Sequence, residues 1–365
     1  MSKHIIIGSL ALAGLAAGIA RAQDVKIGGD LRIREEYIDE EGKDGRNRLR
    51  LRARLSVSGK VSDTVKANFR AASGSEDPVS TNQTLGDFFG KKGLNIDIAS
   101  LNWAPANLGG LNFTGGKMSN PLDTIGKDLI WDGDLTPEGV ALNWAGGDDA
   151  FKIHLNAGGF QILERSSDDE TMLYGGTLAA DSKLGEGMDL RIGGGYFLYE
   201  NVEGFELYEG GAFGNSKIDE KDPADPSNVL SSTYATDYAI AEAFVKLGLD
   251  VGFPLAIYAD YAVNTEADAE DTGYLFGLTL GKTKDPGSLE LDYNFRSLEK
   301  DAVFGAFTDS DSFGGGTNGE GHRVQLVYQV GKNTQAGATY FMQSKDPDGK
   351  DVDYNRLQVD FAVKF

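Results

Sequence analysis

From Asp24 onward the chain alternates, with apolar residues at every second position in runs of about 8–12 residues, divided by clusters of Gly, Asp, Asn and Ser. The first run sets Val25, Ile27, Leu31 and Ile33 against Asp30, Arg32 and Arg34. The second sets Leu49, Leu51, Ala53, Leu55 and Val57 against Arg46, Arg48, Arg50, Arg52 and Arg54. Later runs such as Leu289/Leu291/Tyr293/Phe295 repeat the pattern, and none carries the 3.6-residue period of a helix. The pattern predicts an all-β chain of about sixteen strands, near 25–38, 46–58, 64–73, 94–103, 111–117, 138–144, 151–162 and 171–180, then 189–199, 236–249, 255–264, 273–281, 288–297, 322–330, 334–342 and 352–365. In the fourth and tenth of these the alternation slips.

The connections are unequal. Those over 74–93, 118–137, 200–235 and 298–321 are long, and all four are odd-numbered, whereas even-numbered ones such as 59–63 and 331–333 are short. Long loops at one end and tight turns at the other describe an antiparallel up-and-down barrel with two unlike sides. In lipid every backbone N–H and C=O must be paired, which an edgeless barrel achieves and an open sheet does not. A secreted sandwich or propeller would also alternate, but the strands are long for a sandwich and no blade repeat is found. The expectation is a transmembrane β-barrel with its apolar face toward lipid and its polar face toward water.

Both ends of the sequence fit that expectation. Lys3 precedes an apolar run from Ile5 to Ile19, which ends in Ala20-Arg21-Ala22 before Gln23. Such a run is short for a membrane span and reads as a signal peptide, residues 1–22, cleaved to leave a barrel of residues 23–365. The last strand alternates through Leu357, Val359, Phe361 and Val363 to Phe365. Phe361, Val363 and Phe365 resemble the signal read by the barrel assembly machinery of Gram-negative outer membranes. The expected compartment is that membrane, with its lipid and lipopolysaccharide as surroundings.

Composition narrows the chemistry. Lys and Arg total 35 against 56 Asp and Glu, a formal charge of −21, so no nucleic-acid partner is expected. The absence of Cys removes disulfides, thiolate zinc sites and cysteine nucleophiles, and three His without an HExxH spacing leave no metal site in view. Gly281-Lys282-Thr283 lacks the glycine spacing of a phosphate-binding loop, and 346–353 reads as a solvated turn rather than a calcium loop. No enzyme and no cofactor is expected.

The charge is unevenly spread. The four long connections hold 20 acids against 6 bases, while eight of the thirteen Arg beyond residue 22 lie between 32 and 70. Arg46, Arg48, Arg50, Arg52 and Arg54 share one strand face, with Arg32 and Arg34 on the strand before and Lys66 and Arg70 on the strand after. Neighbouring like charges repel by a few tenths to ~1 kcal/mol per pair, so this basic wall is expected to serve ion permeation rather than stability. Connection 118–137, the third on the long-loop side, carries Asp123, Asp128, Asp132 and Asp134. Folded into the lumen, these carboxylates would oppose the basic wall and set a transverse field across a constriction.

The stretch Gly115-Gly116-Lys117-Met118-Ser119-Asn120-Pro121, followed by Leu129-Ile130-Trp131-Asp132-Gly133-Asp134-Leu135-Thr136-Pro137-Glu138-Gly139-Val140, resembles the putative porin family of Gram-negative outer membranes. The resemblance implies a sixteen-stranded, trimeric, general-porin-like channel for passive diffusion of small hydrophilic solutes and ions, its third loop folded back into the pore. With cations outnumbering the loop aspartates, a modest anion preference is expected. The arginine ladder is similar in kind to that of phosphate-selective porins but differently arranged, so no substrate carries over. The alternative is a plugged structural or adhesive outer-membrane barrel.

Overall fold

The computed structural model describes residues 23–125, 129–346 and 349–365; the expected signal peptide, 1–22, and Asp128 lie outside them. Sixteen strands build the wall. They are β1 Gln23–Glu40, β2 Arg46–Lys60, β3 Val65–Ala72, β4 Asn95–Trp103, β5 Asn112–Lys117, β6 Glu138–Gly147, β7 Phe151–Leu163 and β8 Thr171–Gly185. There follow β9 Met188–Glu200, β10 Ala239–Asp250, β11 Pro254–Asn264, β12 Thr272–Gly281, β13 Leu289–Leu298, β14 Gly319–Gly331, β15 Thr334–Lys345 and β16 Val352–Lys364. Each pairs antiparallel with its sequence neighbours, and β1 pairs with both β2 and β16, so the sheet closes on itself. Closure removes the edges an open sheet would leave unpaired.

Burial is inverted relative to a water-soluble domain. Leu289 is 52% exposed on the outside of β13, while Asp292, Asn294 and Arg296 of the same strand are buried. Exposed Ile33, Leu55, Ile257, Phe276 and Val359 repeat this on other strands, facing outward where lipid takes the place of a core. His322 also faces outward, bonded through Nδ1 to the Tyr293 hydroxyl at 2.9 Å and packed against Phe295.

The two slips of alternation have separate causes. The β3–β4 ladder shifts register between Arg70 and Ala71, so Asp97 and Ile98 are both buried while Ile96 is exposed. In β10 the inner face carries apolar residues at the long-loop end, with Ile240 and Phe244 buried on either side of Glu242 while Val245 faces out. There the wall meets an apolar cluster that joins Phe160, Phe197, Tyr199, Tyr258 and Leu298 of the strands to Met118, Leu129, Trp131, Leu207, Phe304 and Phe313 of the connections. Trp131 packs edge-on against Phe197, with ring centroids 5.1 Å apart.

Two features of the long connections carry no alternating signal of their own. Gln83–Thr84 adds a short rung to β2, opposite Arg50 and Leu51, above the point where β3 ends. Within the third long connection, 200–235, a separate hairpin, Lys217–Asp222 with Asp225–Tyr234, stands apart from the barrel sheet.

Candidate functional site

The strand register builds the arginine wall. Pairing of β1 with β2 puts Arg32 opposite Arg52 and Arg34 opposite Arg50, which alone would be repulsive. The same face carries the compensating acids. Asp30 Oδ1 accepts from Arg52 at 2.9 Å and its Oδ2 from Arg54 at 2.8 Å. Glu36 accepts from Arg48 at 2.6 Å and from the buried Arg356 of β16. Asp360, also of β16, holds Arg34 by two bonds of 2.7 and 2.8 Å, a bidentate pairing that fixes the guanidinium plane. Asp97 takes Arg70.

Other members are held more loosely. The nearest carboxylates to Arg32 and Arg50 are 3.9 Å and 4.0 Å away, and the buried Nε atoms of both have no partner. Arg46 and Lys66 have no ion pair among the described residues, and both are exposed.

The four loop aspartates do not act as one row. Asp134 reaches the wall, accepting from Arg54 at 3.1 Å and from the Thr81 N–H and hydroxyl at 3.1 and 2.8 Å. Asp123 meets a different sector, accepting from Arg191 at 2.6 Å and Asn156 at 2.9 Å. Asp132 accepts the Ser310 N–H at 2.9 Å, tying its own connection to 299–318. From that segment Asp311 accepts from Arg34 at 2.9 Å and lies 2.8 Å from Arg356. Arg356, Asp360 and Asp311 were missing from the candidate set. Asp360 could have been found by closing β16 on β1, but Asp311, in a loop, had no periodic signal.

Segment 73–84 is a second participant that the alternation did not mark. The chain leaves β3 after Ala72 and turns across the wall: Ser73 exchanges bonds with Ala53, Asn82 accepts from Arg32 at 2.6 Å, and Leu85 N donates to Leu49 O. The Arg50 guanidinium lies 3.4 Å from Ser80 Oγ, and Ser310 Oγ donates to Val79 O at 2.9 Å.

Three carboxyls on these connections sit in different electrostatic settings. Burial opposes the charge on Asp311, but Arg356 and Arg34 overcome it and hold the carboxyl far below its usual range. Burial likewise opposes Asp134, and the two Thr81 bonds with Arg52 and Arg54 keep it below the ordinary value. In Asp77 burial wins over the Val79 N–H and Arg50, and the carboxyl is pushed up.

At the opposite end of the chain, Phe365 exchanges backbone bonds with Gly29 at 2.9 and 3.0 Å. Phe361 and Phe365 are exposed on the outer face, and Val363 is half-buried.

Solved structures share this architecture. OprB of Pseudomonas putida, determined at high pH, superposes with a TM-score of 0.60 over 97% of each chain at 11% identity. OmpF of Salmonella typhi, in complex with daunomycin, gives 0.56 over 95% of this chain and 99% of its own at 10% identity. The outer-membrane channel DcaP of Acinetobacter baumannii gives 0.52 over 94% and 97% at 16% identity. At such identities the likeness establishes the fold, that of an outer-membrane porin. The profile of the putative porin family matches residues 34–231 and 230–365, and the chain belongs to that family: an outer-membrane β-barrel channel, not an enzyme. No curated protein matches the sequence.

Proposed function

We propose that this porin is a water-filled channel for passive diffusion of small hydrophilic solutes and ions, with connection 118–137 folded across the lumen as its constriction. The observation that carries the reading is Asp134, whose carboxylate bridges Arg54 of the wall and Thr81. Buried Leu129, Ile130, Trp131 and Leu135 and the Asp123–Arg191 pair support the same placement. A sixteen-stranded barrel is wide enough to keep an aqueous path beside such a loop. Solute crosses down its own gradient, exchanging hydration for contacts with the charged wall.

The wall cations outnumber the carboxylates bonded to them, which are Asp30, Glu36, Asp97, Asp134, Asp311 and Asp360. That balance favours a modest anion preference. The pore-lining set is then Arg32, Arg34, Arg46, Arg48, Arg50, Arg52, Arg54, Lys66 and Arg70, with Arg356 added. Residues 1–22 act as a cleaved signal peptide, Phe361, Val363 and Phe365 as the assembly signal, and the barrels work as trimers in contact with lipopolysaccharide.

One observation favours a second reading. The apolar cluster of Trp131, Phe197, Phe304 and Phe313 joins the connections to the inner wall, and such packing would also suit a plugged barrel. Proteoliposome swelling separates the two. Swelling rates that fall steadily from a triose to a hexose to a disaccharide support the pore, whereas no swelling with the smallest sugar supports the plug.

A further inference from the structure

Two acids of the inner wall take no part in the ion pairs of the arginine wall. Glu242 of β10 and Asp260 of β11 are diagonal neighbours, because the register sets Asp260 opposite Phe244, two residues along from Glu242. Their carboxyls lie within hydrogen-bond reach of each other. Glu242 is only 7% exposed and Asp260 only 4%. Connection 118–137 helps to cover them, since its Ile125 packs with Phe244 and Ala179 in a small buried cluster. Asp123 of the same connection adds its own negative field at Glu242.

One oxygen of each acid, Glu242 Oε2 and Asp260 Oδ1, is buried with no hydrogen-bond partner. The neighbouring bases are engaged or remote. Arg296 lies across β12 from Asp260, with Leu275 between them, and is bonded to Thr308 and Asp309. Arg191 holds Asp123 and Asp181. Lys246 follows on the far side of Phe244 along β10 and is exposed. Buried charges in contact must be paired or neutralised. A proton shared by the two acids would satisfy their mutual contact but leave Glu242 Oε2 and Asp260 Oδ1 as acceptors without donors. A cation seated between the carboxylates takes up both oxygens and cancels both charges.

We infer that Glu242 and Asp260 bind a hard divalent cation, and that calcium is the one they suit. Two carboxylates balance two positive charges. No histidine serves the pair, because His154 is bonded to Asp181 and His322 faces outward, so a transition metal gains nothing there. Calcium accepts irregular sets of about six to eight oxygens, whereas magnesium demands near-ideal octahedral geometry. The site is built on two acids, since no third acid or histidine joins them in a metal-holding group among the described residues. They stand on different strands, so no sequence spacing marks them. An ion held there fastens β10 to β11 beneath connection 118–137, in the sector of Asp123 rather than that of the arginine wall. The inference stands on the inner wall itself and applies to an open or a plugged barrel alike.

The test adds calcium chloride to the full barrel after EDTA treatment and dialysis, with calorimetric titration and melting curves in parallel. The unmodified protein should bind calcium at a saturable site and melt several degrees higher with calcium than with EDTA. E242Q and D260N each remove one ligand charge and should weaken that binding roughly tenfold or more. E242Q/D260N should lose both the binding and the calcium-dependent shift, while melting no lower than the wild type in EDTA, because no repulsion remains to be relieved. Acidic outer connections also attract calcium, so an undiminished shift in the double variant overturns the inference. A wild type indifferent to calcium overturns it too, and one that instead melts higher as pH falls from about 8 to about 5 identifies a shared proton in the ion's place. Wild-type crystals grown with calcium give a check that needs no variant. An anomalous difference peak between the Glu242 and Asp260 carboxylates supports the site, and peaks confined to the outer connections overturn it.

Discussion

Arg34 and Arg356 both donate to Asp311, while each keeps a second carboxylate, Asp360 for the one and Glu36 for the other. Asp311→Asn therefore weakens two charge-assisted contacts without stranding either arginine, and should cost about 2 kcal/mol. Urea unfolding of the detergent-solubilised barrel would measure that loss. Asp134 makes a pH-dependent contribution. Its carboxyl is held below the ordinary value of about 3.9, so the stability it gives is complete above that value and is lost as pH falls through its lowered one. Melting curves of the wild type should therefore hold level from neutral pH to about pH 4 and drop below it, with a shallower drop in Asp134→Asn. Asp77 is raised instead, and protonates earlier on acidification. Its loss of charge should raise the chloride-to-potassium permeability ratio as pH falls from 7 toward 4, and Asp77→Asn should flatten that rise.

At the scale of strands, most of the barrel was legible because lipid imposes a strict period of two on every spanning segment. Arg46 to Arg54 could be assigned to one face on parity alone, and the register then fixed Asp30 and Glu36 as their partners. Legibility ended where the inner wall stopped being polar. Ile240 and Phe244 are apolar because connections pack on them, which no single strand's alternation could announce. The same limit hid Asp311 and segment 73–84, whose places are set by contacts between connections. Closure of the barrel illustrates a local requirement. A Cβ on Gly29 would stand 2.3 Å from the Arg54 carbonyl oxygen and 2.7 Å from the Phe365 ring. Gly29→Ala should thus strain the β1–β2 and β1–β16 seams by roughly 1–3 kcal/mol. Its folded band on unheated gels should give way to the unfolded band at a lower temperature than the wild type's.

For the whole molecule, a formal charge of −21 conceals two opposed distributions. The long connections hold most of the acidity, and the β1–β3 wall is basic but largely compensated, by Asp30, Glu36, Asp97, Asp311 and Asp360. On the proposed function, selectivity would be governed by the few cations left without a close carboxylate, Arg32, Arg46, Arg50 and Lys66, rather than by the whole ladder. That is why a modest preference is expected instead of strong anion selectivity. The central claim is an open aqueous path through the closed sixteen-stranded barrel, and planar-bilayer recording of the purified protein tests it most directly. The account predicts discrete, ohmic steps whose size grows in proportion to KCl concentration, with a reversal potential under a salt gradient displaced modestly toward chloride. Correctly folded barrels that insert and yet pass no current would contradict it.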